Sequence, residues 1–150
     1  MKKKFLSIII TTFNEEKYIA NCLRSIFNNN FKDFEIIVVD DASTDNTVKI
    51  IKKYPVKFFK LKKNYGAAFA KNYAIKKSKS NLIFFIDADA TLEKNALNKM
   101  IKIFKNNKNL SGVNGSWNEI PINKSSFWIT SEAEVFGSPM MYKIGINSGH

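Results

Sequence analysis

Leu82-Ile83-Phe84-Phe85-Ile86-Asp87-Ala88-Asp89 is the stretch on which the fold turns. Its apolar run reads as a strand covered on both faces, and two carboxylates emerge at its end. An equivalent run, Phe34-Glu35-Ile36-Ile37-Val38-Val39, ends in a second acidic pair, Asp40-Asp41. If both strands are parallel members of one sheet, their ends lie on the same edge, where open α/β sheets bind ligands. Four carboxylates then face one crevice.

Working outward, strand-like runs at residues 6–11, 35–39, 56–60 and 82–86 alternate with helical patterns. That alternation is the signature of βαβ units and predicts an α/β fold with a mostly parallel sheet flanked by helices. The first helix places Tyr18, Ile19, Cys22, Leu23, Ile26 and Phe27 at helical spacing, with Asn14 as a cap and Glu15 and Glu16 in an acidic first turn. Thr44-Asp45 opens a short helix with Val48 and Ile51 inward, and Asn64-Tyr65-Gly66 marks a turn before a small-residue helix over 67–77. A further helix over 92–104 buries Leu97, Met100, Ile101 and Phe104, and residues 110–113 return as a fifth strand. Beyond Gly115 the pattern weakens, with one more helix expected over 127–136. Nothing divides the chain, so residues 1–150 are read as one domain.

At 150 residues and 45% hydrophobic, the chain is large enough to bury a core of its own. Its formal net charge of +11 is carried by 23 lysines and Arg24, spread along the chain rather than gathered in one block; 18 asparagines and 19 isoleucines accompany them, as in an AT-rich source. No recognition motif or basic-aromatic RNA signature is present, so no nucleic-acid partner is expected. One cysteine, Cys22, excludes an internal disulfide framework, and one histidine, His150, argues against a zinc site. A cytoplasmic setting is expected, at or away from the inner face of the membrane. The basic, apolar start resembles a secretory signal, but Asn14-Glu15-Glu16-Lys17 interrupts it without a small-x-small cleavage site, and it reads as mature protein. No run approaches the roughly 20 apolar residues that span a bilayer, so membrane contact is peripheral or supplied from outside this chain.

A D-x-D at a strand end suits a hard divalent cation, Mg²⁺ or Mn²⁺, which carboxylates hold in company with substrate phosphates. The competing reading makes Asp89 or Thr91 a cap of the next helix, and Asp45 the cap of the helix after Asp40-Asp41. No G-x-G-x-x-G follows the first strand and no G-x-x-x-x-G-K-[ST] occurs, which removes the usual dinucleotide and P-loop readings.

Taken in order, Ser7-Ile8-Ile9-Ile10-Thr11-Thr12-Phe13-Asn14-Glu15, then Glu35-Ile36-Ile37-Val38-Val39-Asp40-Asp41-Ala42-Ser43-Thr44-Asp45-Asn46-Thr47, then Asn64-Tyr65-Gly66 through Lys71-Asn72, and finally Asp87-Ala88-Asp89 resemble the inverting, GT-A-fold nucleotide-sugar glycosyltransferases of family 2. The resemblance covers roughly residues 5 to 104. It implies that Thr11, Phe13 and Glu15 line the nucleoside pocket, with Phe13 against the base. It further implies that Asp41, helped by Asp40, accepts hydrogen bonds from that base, usually uracil. Asp87, Ala88 and Asp89 then lie along the ribose and diphosphate, with Asp89 and Asp87 at the metal. Lys71 stands where the family commonly has arginine, so its phosphate contact is a point charge rather than a fork. The expected partner is a nucleoside-diphosphate sugar, with an acceptor glycan, lipid or protein that the sequence does not name.

Inverting transfer also needs a general base for the acceptor hydroxyl. In the family it lies well downstream of the D-x-D, in an acceptor-binding half that is expected to be missing here. Well downstream of Asp89 the acids available are Glu119, Glu132 and Glu134, and no base is assigned. Trp117, Phe127 and Trp128 line an acceptor site or simply close the sheet. Two rival functions remain at this stage. One is a nucleotide-sugar-binding module without transfer activity. The other is a haloacid-dehalogenase-type phosphatase using Asp87 as nucleophile, a motif that Phe84 to Leu92 also resembles, although no aspartate follows Asp89.

Overall fold

A computed structural model of the chain describes residues 4–107, 112–114 and 140–143. The elements run β1 (Leu6–Thr12), α1 (Ile19–Phe27), β2 (Phe34–Asp40), α2 (Thr47–Ile51), β3 (Lys57–Lys60), α3 (Ala67–Lys77), β4 (Leu82–Phe85), α4 (Ala96–Asn106), β5 (Gly112–Asn114) and β6 (Met140–Lys143). They build one sheet of order β3-β2-β1-β4-β6-β5. The first four strands of that order are mutually parallel, while β6 is antiparallel to both β4 and β5.

Burial on both faces explains the unbroken apolar runs of β1, β2 and β4. Side chains alternate across each strand, so Leu6, Ile8, Ile10, Ile36, Val38 and Phe84 join α1, α2 and α4 in one core, and Ile9, Ile37, Val39 and Ile83 join α3 in the other. In α1, Ile19, Cys22, Leu23 and Ile26 recur on one helical stripe and are fully buried. Removing a side chain such as Leu23 to Ala would cost about 2–5 kcal/mol. Across the sheet, Ala70 and Ala74 are the buried residues of α3, as the small-residue pattern predicts.

Several boundaries differ from expectation. α1 starts at Ile19 rather than near Asn14, because the Glu15 carbonyl accepts the Tyr18 and Ile19 amides in a preceding turn; the helix has no acidic first turn. α2 starts at Thr47, and α4 at Ala96 instead of Leu92, since Leu92 is held in the preceding loop. β5 overlaps the expected strand at Gly112 and Val113 and ends one residue later, at Asn114. The pairing of Met140–Lys143 as β6 was not anticipated, because four residues at that remove carry no periodic signal. The helix expected over 127–136, with Trp117, Phe127, Trp128, Glu119, Glu132 and Glu134, lies outside the described residues.

Chain order positions the site. From β1 the chain moves out through β2 to β3, then returns across β1 to β4 on its other side, so the direction of winding reverses between β1 and β4. The loops after β1 and β4 both leave the sheet at that reversal, on its carboxyl edge, where open α/β sheets bind ligands.

Candidate functional site

Two loops at that edge are stitched together. Asn14 donates its amide to Ser43 Oγ (2.9 Å) and accepts the Thr44 amide on Oδ1 (2.9 Å). Glu15 donates its amide to Thr47 Oγ1 (2.8 Å), Glu16 donates its own to Asp45 Oδ2 (3.1 Å), and Glu16 Oε2 accepts from both the amide and the side chain of Asn46. The Ser43–Thr47 segment therefore fixes the loop that carries Phe13 and Glu15. Asp45 also accepts the Thr47 amide (2.9 Å), and although burial pushes its carboxyl up, hydrogen bonds from Thr47 and Glu16 outweigh it and hold the group below the usual range. Both loops turn through left-handed backbone, Asn14 at φ 57° and Ala42 at φ 68°. Asparagine tolerates that region; alanine does so at about 1–2 kcal/mol.

The first acidic pair is turned inward. Asp41 is 4% exposed and its two carboxylate oxygens accept the amides of Tyr65 (2.8 Å) and Gly66 (2.7 Å), while its own amide donates to the Thr12 carbonyl (2.8 Å). One residue thereby joins the ends of β1 and β2 to the first turn of α3. Gly66, at φ 89°, makes the sharp entry that brings both amides to the carboxylate. Asp40 is fully buried: Oδ2 accepts the Ser43 amide (3.0 Å), whereas Oδ1 and the hydroxyl of its register neighbour Thr12 have no partner among the described residues.

The second pair opens outward. Ala90 donates its amide to the Asp87 carbonyl (3.1 Å), closing a turn that buries Ala88 and Ala90 in the α1 core and leaves Asp87 half-exposed and Asp89 exposed. With its side chain in the core, Ala88 offers a ligand only backbone. A polar stripe on α1 and its C-terminal end, Cys22, Ser25 and Asn29, anchors the loop. Cys22 Sγ donates to the Asp87 carbonyl (3.5 Å), Ser25 Oγ accepts the Leu92 amide (3.0 Å), and Asn29 Nδ2 donates to the Glu93 carbonyl (2.8 Å). Sequence reading took Cys22 for an ordinary core residue and passed over the other two. The available signal was three polar side chains at helical spacing on an apolar face.

The four segments meet electrostatically. Lys71 Nζ, from α3, lies 3.9 Å from Asp87 Oδ1 and 5.9 Å from the centre of the Phe85 ring. Glu15 is held above the usual carboxylate range by burial and then by the nearby charges of Asp89 and Asp45. Burial first, and then Asp89 and Asp87, push the Cys22 thiol up to about 12, which leaves it protonated and inert. Asp87, Asp89, Glu15 and Lys71 are thus brought together, with Thr11 half-buried at the end of β1 and Phe13 presenting an exposed ring (43%). Among the described residues no three acidic, cysteine or histidine side chains form a ready-made metal cage. Two carboxylates that leave the remaining positions to phosphate and water fit Mg²⁺ or Mn²⁺ better than a closed cage would.

Solved structures of the same fold place the chain among glycosyltransferases of GT-A fold. It matches Staphylococcus aureus TarS 1-349 in complex with UDP at a TM-score of 0.69 and 27% identity, over 81% of this chain and 38% of that one. A mannosyltransferase from Pyrobaculum calidifontis in complex with GDP-Man and Mn²⁺, at 23% identity and a TM-score of 0.72, shows the same fold over 79% of this chain and 37% of its own. The family follows from sequence: the model described as glycosyl transferase family 2 matches residues 7–148, and the chain belongs to that family. The poly(ribitol-phosphate) beta-N-acetylglucosaminyltransferase TarP of S. aureus strain N315 is 34% identical over 97% of this chain, which spans 48% of that relative's length. Membership of family 2 displaces the phosphatase reading of Asp87.

Proposed function

We propose that this chain is the donor-binding portion of a glycosyltransferase that takes a UDP-linked sugar and passes the sugar to an acceptor with inversion. The observation that carries the reading is the meeting of Asp87, Asp89 and Glu15 beside Lys71 at the reversal between β1 and β4. Asp89, with Asp87, would hold the divalent cation, which when bound supplies positive charge against the diphosphate that departs. Lys71 adds a second positive charge from the α3 side and keeps Asp87 oriented between uses. Phe13 offers an aromatic face for the base, and the Asp41 oxygens, already fixed by Tyr65 and Gly66, keep spare lone pairs for a base N–H. Thr11 and the stitched loop set the depth of that pocket. Complexes of relatives with UDP and with UDP-GlcNAc support the choice of donor.

Equilibrium titration of UDP with the purified chain, with and without Mn²⁺, tests this. Binding that needs Mn²⁺ and disappears in Asp89→Ala is expected; equal binding in the variant, or binding indifferent to the metal, sinks the assignment. Metal-dependent binding with no transfer to any acceptor supplied would instead identify a donor-binding module.

A further inference from the structure

Lysine is spread along the whole chain, but acid is not. Between Asn46 and Ile86 there are eleven lysines and neither aspartate nor glutamate, so this segment alone carries the formal net charge of +11; the other 13 of the 24 basic side chains are balanced by all 13 acids. The fold wraps this segment around one side of the molecule. β3 is the terminal strand of the sheet, α2 packs on one face of the sheet, and α3 packs on the other. Of the eleven, only Lys57 and Lys71 enter ion pairs among the described residues. Lys62, Lys63, Lys76 and Lys79 are exposed.

An aromatic pair sits within this cationic side. Tyr65 and Phe69 are 44% and 45% exposed and stack on each other at 4.5 Å and 22°, with Lys63 Nζ 5.1 Å from the Tyr65 ring centre. The pair straddles the start of α3, beside the Tyr65 and Gly66 amides that Asp41 holds, so it lies at the donor edge.

We propose that this side, centred on Tyr65 and Phe69, docks onto an anionic lipid surface. Every cation in the segment is lysine and none is arginine, which suits attraction to a diffuse field of charge more than bidentate reading of individual phosphodiesters. Two exposed rings flanked by lysines match the layered chemistry of the membrane interface, where aromatic bodies settle at headgroup level and ammonium groups stay in water. A soluble polyanion would engage the lysines and have no use for the rings. Docking in this orientation sets the donor crevice beside the lipid headgroups, and it stands whether or not the chain transfers sugar.

Sedimentation of the full chain with vesicles tests the proposal, using phosphatidylcholine alone or with about 30 mol% phosphatidylglycerol in about 0.1 M salt. Binding is expected only to the anionic vesicles. Replacing Lys62, Lys63, Lys76 and Lys79 by Gln should weaken it roughly tenfold or more, whereas replacing Lys94, Lys99, Lys102 and Lys105, at and along α4, removes the same charge and should change it less than about twofold. Tyr65→Ser with Phe69→Ser should weaken vesicle binding and leave binding to linear polyphosphate unchanged. All these side chains are exposed, and unchanged melting temperatures confirm folding. Equal losses from the two lysine sets, or no binding to anionic vesicles, overturns the proposal. So does wild-type vesicle binding by the double aromatic variant, which would identify a general polyanion surface instead.

Discussion

Two acidic pairs follow two buried strands, and the fold uses them in opposite ways. Asp40-Asp41 is folded in, with the Asp41 carboxylate holding two backbone amides and Asp40 enclosed at the end of β2. Asp87-Ala88-Asp89 is turned out, offset by a single lysine at 3.9 Å and raising the proton affinity of Glu15 nearby. Equivalent positions on parallel strands thus divide between holding the crevice together and furnishing its charge. What separates them is the loop that follows: the one after β2 runs into amides that need acceptors, and the one after β4 is pinned from behind by α1.

The comparison breaks most visibly at Asp41. Asp41→Ala removes two charge-assisted hydrogen bonds, leaving the Gly66 amide only Asn64 Oδ1, and should destabilise the fold by roughly 3 kcal/mol, read by denaturant unfolding. Asp89→Ala should leave stability within about 0.5 kcal/mol of the parent, while Mn²⁺-dependent UDP affinity drops by about 100-fold. If Asp41→Ala is neutral, or Asp89→Ala unfolds the chain, the division is wrong. Ser25→Ala sharpens it, since the loss of one bond behind the acidic loop should cost about 1 kcal/mol of stability. It should also weaken metal-dependent UDP binding severalfold without removing it.

Acid titration adds a third carboxylate for contrast. Glu35, at the opposite end of the sheet, accepts from Ser7 Oγ (2.5 Å), the Lys79 amide (3.0 Å) and Lys57 Nζ. Burial pushes it up, but the bonds from Lys57, Ser7 and Lys79 win and hold it below the usual range. Its folded pKa lies below its unfolded one, so its contribution is complete above the ordinary glutamate range and is lost as pH falls through the lowered folded value. Glu35→Gln should therefore flatten the acid limb of a stability-against-pH curve by about 1 kcal/mol. The smallest effect is expected at Ala42, where Ala42→Gly relieves left-handed backbone beside Asp41 and should raise stability by about 0.5 kcal/mol.

The parallel core was legible because its signals are strong and local: apolar runs of strand length, helical stripes between them, and acids at strand ends. That Asp87 and Asp89 share an edge with Asp40 and Asp41 followed once those strands were taken as parallel, whereas Glu15 and Lys71 joined them only through the family resemblance. The direction in which Asp41 points was hidden, since it depends on amides 24 and 25 residues away. The charge asymmetry was hidden for a different reason: attention went to where lysines occur, and the information lay in where acids do not. β6 escaped because its partner in register, Phe85↔Met140, is set by distant pairing.

That register also ties β5 and β6 to the acidic loop. Asn114 and Met140 oppose one another, and Met140 in turn opposes Phe85, two residues before Asp87. Both strand ends therefore stand at the edge of the sheet from which the acidic loop departs, like two rivets set beside one hinge, and a change in the Phe84–Phe85 pairing would shift them together.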